Sequence, residues 1–172
     1  MILNLRPVRS LILILVIFVI SLPAAYAGET TDSVNSIKEA LPDSIELDGK
    51  VVYVDFWASW CVPCRQSFPW MQTIYDKYHR EGLEIIAVNV DKDHSAAMKF
   101  LEEHKAGFPI LFDSTGSLAK LYELEAMPTS FIYDRNGHLV QRNQGFRQEE
   151  TEGVERTVQA LLEQKGQSEK DH

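Results

Sequence analysis

Trp60-Cys61-Val62-Pro63-Cys64-Arg65 contains the only two cysteines of the 172-residue chain. Two thiols this close can interconvert with a disulfide and so carry two electrons. An apolar run, Val51 to Trp57, precedes the pair, and apolar residues at helical spacing follow it. A strand that feeds a helix through Cys-x-x-Cys puts the first sulfur at the helix N-terminus, where unpaired N–H groups and the positive dipole end favour a thiolate. Cys61 is therefore the expected nucleophile. Cys64, one turn further in, is expected to be more buried, close enough to close a disulfide and to attack a mixed disulfide formed at Cys61.

Two plainer uses of the pair fit less well. A structural zinc site needs four ligands, and the chain has no second Cys-x-x-Cys and no His-x-x-x-His. A purely structural disulfide across two intervening residues closes a tiny loop and constrains the unfolded chain little. His79, His94, His104, His138 and His172 are scattered on polar stretches and read as solvated surface, so no metal is expected. No Gly-rich loop precedes a helix in the manner of a phosphate site, which argues against nucleotide binding.

The elements that must position the pair follow from periodicity. Val51 to Trp57 is continuously apolar apart from Asp55 and suits a central strand covered on both faces. An acid there is costly to bury ionised, so its pKa should rise and it could exchange protons with a nearby thiol; the alternative is that Asp55 faces solvent at a strand edge. From Val62 to Arg80, Phe68, Met71, Ile74 or Tyr75, and Tyr78 define one helical face, interrupted by Pro69 and stopped by Gly82. Leu83 to Val90 reads as a second buried strand, parallel to the first through a right-handed crossover. The loop from Asp91 to His94 caps a helix from Ser95 to His104 whose buried face is Ala97, Phe100 and Leu101, and Phe108 to Phe112 is a further short strand.

Around this centre, Thr30 to Leu41 is expected as a short amphipathic helix, and Ile45 to Leu47 as a short strand before an Asp48-Gly49 turn. Asp113 to Gly116 is a turn, followed by a short helix carrying Leu118, Leu121, Tyr122 and Leu124. Ser130 to Tyr133 and His138 to Gln144 form strands joined by the hairpin turn Asp134-Arg135-Asn136-Gly137. A C-terminal amphipathic helix from Glu149 to Gln164 buries Val154, Val158, Leu161 and Leu162.

Arg6 and Arg9, the apolar run Leu11 to Ile20 and Ala25-Tyr26-Ala27 before Gly28 have the order of a cleaved secretory signal, with an uncleaved anchor as the alternative. The expected division is a signal at 1–27, an N-terminal extension at 28–44, one domain at 45–165 and a flexible tail at 166–172. Losing two arginines and no acids takes the net charge from −8 to −10. So acidic a protein is a poor partner for nucleic acid. Exported proteins that use disulfides for stability usually carry several; a single pair in a reactive position points to chemistry.

Val54-Asp55-Phe56-Trp57-Ala58-Ser59-Trp60-Cys61-Val62-Pro63-Cys64-Arg65, together with Met127-Pro128-Thr129, resembles the thioredoxin superfamily and, within it, the TlpA/ResA-like branch of exported thiol-disulfide oxidoreductases. The resemblance spans about residues 45 to 163. It implies an α/β, thioredoxin-like fold, a central mixed sheet flanked by helices, with the extra αβ insert of that branch before the proline motif. It also implies that Asp55 relays a proton to Cys64, that Pro128 is cis and sits against the cysteines, and that Trp60, Pro63, Met127, Pro128 and Thr129 form the substrate-binding surface. There the Met127 backbone would pair with an extended substrate segment. One departure is Lys92, which falls where some ResA-like members carry a glutamate near the disulfide; Asp91 and Asp93 flank it.

What the resemblance implies in function is a periplasmic, monomeric oxidoreductase that acts on protein disulfides without a cofactor. Val62-Pro63 supplies no charge beside the first sulfur, unlike the histidine of strongly oxidising relatives, so a reductase is favoured. Outside the cytosol a reductase needs electrons, which implies a membrane thiol carrier of the DsbD or CcdA kind as donor. Two alternatives stay open: a disulfide oxidase or isomerase using the same residues, and a chaperone-like binding module that uses the Pro128 groove.

Overall fold

The computed structural model describes residues 29–40 and 45–164. The expected signal at 1–27 and tail at 166–172 lie outside the described residues. Helix α1 (Glu29–Ala40) leads to strand β1 (Val51–Trp57), helix α2 (Val62–Tyr78) and strand β2 (Leu83–Asn89). Helix α3 (His94–Glu103) and strand β3 (Ile110–Phe112) come next, then helix α4 (Ser117–Leu121), the hairpin β4 (Thr129–Tyr133) and β5 (Leu139–Gln144), and helix α5 (Thr151–Glu163).

The strands form one mixed sheet in the order β3-β2-β1-β4-β5. β1 pairs with β2 in parallel and with β4 antiparallel, so it is central, as its unbroken apolar sequence requires. β3 pairs in parallel with β2 at the sheet edge, which makes the α3–β3 segment the inserted αβ unit. Alternation along each strand divides two cores. Val51, Tyr53, Trp57, Leu83, Ile85 and Ile132 face α2, α3 and α5, where Phe68, Met71, Phe100 and Val158 are buried. Val52, Val54, Phe56, Ile86 and Phe131 face the other side, where Val34 and Ile37 of α1 and Tyr122 close the layer.

Two of the departures from the sequence-based expectation have direct physical reasons. Ile45 to Leu47 is not a strand: the chain turns directly into β1, with the Lys50 N–H donating to the Leu47 carbonyl at 3.1 Å, and Leu47 is buried in the second core. β3 begins at Ile110 and not at Phe108, because Pro109 has no N–H to give the ladder, although its carbonyl accepts from the Ala87 N–H at 3.0 Å. Phe108 instead packs against Phe68 and Tyr75.

α2 ends in a 3₁₀ turn at His79–Glu81, and Gly82, at φ +106°, reverses the chain into β2. A Cβ there would lie 2.8 Å from Arg135 Nη1 as well as being strained. Gly82→Ala is expected to cost about 1–2 kcal/mol. Thermal melts of the oxidised protein should therefore show the midpoint falling by about 3–6 °C.

Candidate active site

β1 delivers the chain to the site. Beyond Trp57 the backbone turns, with the Cys61 N–H donating to the Ala58 carbonyl at 3.1 Å, and Cys61 becomes the N-cap of α2 in extended conformation. Its sulfur accepts a hydrogen bond from the Cys64 N–H at 3.3 Å, so it sits on the unpaired donors of the helix N-terminus. Pro63 is accommodated in the first turn, where an N–H is not needed. The two cysteines are joined in a disulfide, Cα to Cα 5.3 Å. Cys61 is 4% exposed and Cys64 fully buried, the order that helix geometry predicts. Trp60 (66% exposed) and Val62 (68%) stand out on either side of Cys61, with Pro63 also exposed. The disulfide therefore lies just beneath an apolar rim that an apolar partner segment could cover.

Asp55 lies in the middle of β1, opposite Ala87 on β2 and Ser130 on β4. It is 2% exposed, not at a solvent-facing edge. It falls between Tyr53 and Trp57, which belong to the core that holds Cys61 and Cys64. Its Oδ2 is buried with no hydrogen-bond partner among the described residues, and burial raises its pKa well above the usual carboxylate range. Trp57 Nε1, on the same face, is the other buried polar side-chain atom without a partner among the described residues.

The Met127–Pro128 peptide bond is cis. Pro128 is buried and Met127 half-buried; the Pro128 carbonyl accepts from the Gly145 N–H at 2.7 Å, which ties this loop to the end of β5. Thr129 is fully buried, its hydroxyl donating to the Ala126 carbonyl at 2.8 Å, so its side chain braces the loop from inside. The exposed side chains of the expected binding surface are Trp60 and Pro63.

One residue important to this geometry is not evident from the sequence alone. Asp91, in the loop after β2, is buried and accepts from Ser59 N–H (2.8 Å), Ser59 Oγ (3.0 Å) and Asn89 Nδ2 (2.8 Å). It thereby pins the turn that presents Trp60 and Cys61. Asp93 caps α3 by accepting from the Ser95 N–H at 2.9 Å, and Lys92 is exposed. Both acids that flank Lys92 are thus engaged with neighbouring groups. Asp91→Ala leaves three donors unpaired and is expected to lower the stability of the oxidised protein by about 1–3 kcal/mol in denaturant titration.

The histidines are less simply solvated than their spacing suggests. His79, His94 and His104 lay their rings against Tyr75, Phe112 and Phe100, while His138 pairs with Asp134. No group of three or more metal-ligating side chains occurs among the described residues.

Comparison with known proteins agrees with this geometry. The family model described as Redoxin matches residues 31–161. A curated relative from Bacillus thuringiensis, named thiol-disulfide oxidoreductase ResA, is 36% identical over 100 residues, which cover 58% of each chain. The chain thus spans somewhat more than half the length of that relative. Among solved structures, a Chlorobium tepidum protein provisionally assigned as thiol:disulfide interchange protein DsbE aligns with TM-score 0.65 at 48% identity, covering 66% of this chain and 81% of that one. StoA from Bacillus subtilis aligns with TM-score 0.56 at 28% identity, covering 63% and 82%. The five-stranded sheet flanked by helices is the thioredoxin-like fold of these neighbours.

Proposed function

Because the chain belongs to the Redoxin family, we propose that it is an exported thiol-disulfide oxidoreductase that reduces protein disulfides through Cys61 and Cys64. The observation that carries this reading is Cys61 at the N-cap of α2, its sulfur held on the Cys64 N–H, with a buried carboxyl on the strand beneath whose Oδ2 has no hydrogen-bond partner among the described residues. The names of the relatives support the reaction class.

The cycle starts from the dithiol. The Cys61 thiolate attacks one sulfur of a substrate disulfide; a Cys61–substrate disulfide forms and the other substrate sulfur leaves as a thiolate. Asp55, ionised, takes the Cys64 proton; the Cys64 sulfur attacks Cys61 Sγ, closing the 61–64 disulfide and releasing the second substrate thiolate. Two electrons pass to the substrate, whose thiolates are protonated from solvent. Trp60 and Pro63 offer apolar contact, and the Met127 backbone offers strand pairing to an extended substrate segment.

The reductive direction rests on Val62-Pro63, which brings no cation to the Cys61 thiolate, so nothing extra favours the dithiol over the disulfide. Export to the periplasm rests on the charged, apolar and Ala-Tyr-Ala segments of residues 1–27. Outside the cytosol the reductase must be re-reduced, and a membrane thiol carrier of the DsbD or CcdA kind is the donor that this reading requires.

The test is a stoichiometric one. Pre-reduced protein, freed of reductant, is mixed with a disulfide-bonded protein and the thiols of each are counted. The reading expects one substrate disulfide reduced for each 61–64 disulfide formed. Unchanged substrate would overturn the reductase reading and leave the oxidase and the binding module.

A further inference from the structure

Polar side chains run in single file across the sheet face beneath α5. The register sets Asp55 on β1 opposite Ser130 on β4, and Ser130 opposite Asn143 on β5. Asn143 Nδ2 donates to Ser130 Oγ at 3.1 Å, and Gln141 Nε2 donates to Asn143 Oδ1 at 2.6 Å. Thr157 Oγ1 of α5 donates to Gln141 Oε1 at 2.8 Å, so the file reaches from the outer helix to the residue opposite Asp55. The neighbours on this face, Tyr53, Trp57 and Ile132, are core residues, and polar groups buried among them carry a desolvation cost.

Two further observations say what the file is aimed at. Asp55 Oδ2 is fully buried and lacks a hydrogen-bond partner among the described residues. A narrow cleft of ≈ 20 Å³ borders it, lined by Tyr53, Asp55, Pro128, Ser130 and Asn143 and, among exposed residues, by Arg147. That volume holds about one water molecule, and the lining supplies the two or more polar partners that a buried water needs.

We infer that Ser130 and Asn143 are positioning residues that hold a water molecule against Asp55, where it donates to the ionised carboxylate and carries its proton out past Arg147. The inference rests on the reading of Asp55 as the proton acceptor for Cys64. The balance is simple: the Cys64 thiol proton passes to the Asp55 carboxylate as the mixed disulfide is resolved, and then from the carboxyl to the water and solvent. No electron moves along this path. The file makes Asp55 reversible, since a carboxyl with no polar contact would keep the proton. The titratable and charged groups around it are Tyr53 on its own strand, Arg147 and Glu150 at the cleft mouth, and Cys64 on α2 in the dithiol form.

The test follows mixed-disulfide resolution in the full chain across pH, with a chromogenic aromatic disulfide as probe. Release of the first probe thiolate reports Cys61; release of the second reports attack by Cys64. Ser130→Ala and Asn143→Leu are expected to move the inflection of the second release upward by about one pH unit, equivalent to about tenfold slower resolution below it. The first release should be unaffected, and Ser130→Thr, which keeps the hydroxyl, should restore the profile. Far-UV circular dichroism checks that each variant folds, and Ser130→Ala carries the test if Asn143→Leu does not. Superimposable profiles for wild type and Ser130→Ala would overturn the inference. Asp55→Asn separates the two layers: if it shifts the second release while Ser130→Ala does not, the water-positioning role alone fails. If Asp55→Asn also matches wild type, the proton-acceptor reading of Asp55 fails and the inference with it.

Discussion

Cys61→Ser should abolish disulfide reduction, by about 10³-fold or more, the scale of loss when a covalent nucleophile is removed. Serine at the helix N-cap keeps the hydrogen bond from the Cys64 N–H that sulfur now accepts, so the fold should survive. What it lacks is an ionised nucleophile at neutral pH. Cys64→Ser should fail differently. Cys61 still attacks, but no second thiol resolves the adduct, so the protein should accumulate as a mixed disulfide with its substrate. Mass spectrometry of the two variants after exposure to a disulfide-bonded protein distinguishes them: an adduct on Cys64→Ser and none on Cys61→Ser. An adduct on Cys61→Ser that is absent from Cys64→Ser would reverse the assigned roles. Equal activity of Cys61→Ser and wild type would point to binding without redox chemistry.

Asp55→Asn should slow the resolving step by about 10²-fold near neutral pH, the low end of what a positioned proton-transfer group contributes, because water can replace it in part. The same change should make the oxidised protein more stable. Burial raises the Asp55 carboxyl well above its usual range, so the native chain binds this proton more tightly than the unfolded chain does. The wild-type protein therefore loses stability as pH rises from about 4, where the unfolded carboxyl titrates, through the raised native value. Asparagine is neutral throughout and removes that loss. Melting both proteins between acid and mildly alkaline pH should show the Asp55→Asn advantage growing with pH and closing towards acid. A constant gap would mean that the carboxyl titrates normally and is no reserve of proton affinity.

Much of this architecture is legible locally. The Val51 to Trp57 run, the helix face of Phe68, Met71 and Ile74 and the Asn-Gly hairpin all carry their structure in nearest-neighbour pattern, and each stands where its residues imply. The cysteine pair is legible for the same reason, being three residues apart at one strand-to-helix junction. Asp91 was not, because its partner Ser59 lies 32 residues away and only the pairing of β1 with β2 brings them together. In sequence it is one acid of a polar loop. The Asp55–Ser130–Asn143 file is hidden likewise, since it exists only through the registers of β1 with β4 and β4 with β5. Ser130 did leave a trace, as a polar residue ahead of the apolar run Phe131 to Tyr133, whereas Asn143 sits among Gln141, Arg142 and Gln144 and leaves none. Ile45 to Leu47 misled in the opposite way: three residues with apolar ends look like a strand, but so short a segment turning straight into β1 can only lend Leu47 to the core.

The equilibrium reduction potential of the Cys61/Cys64 pair, set against glutathione buffers of known poise, bears most directly on the proposed role. A value near the about −270 mV of thioredoxin is what a reductase with an uncharged Val62-Pro63 between its cysteines should give, and it would place the dithiol as a donor to exported proteins. A value near the about −120 mV of a strong oxidant would contradict the account and make the same site a source of disulfides.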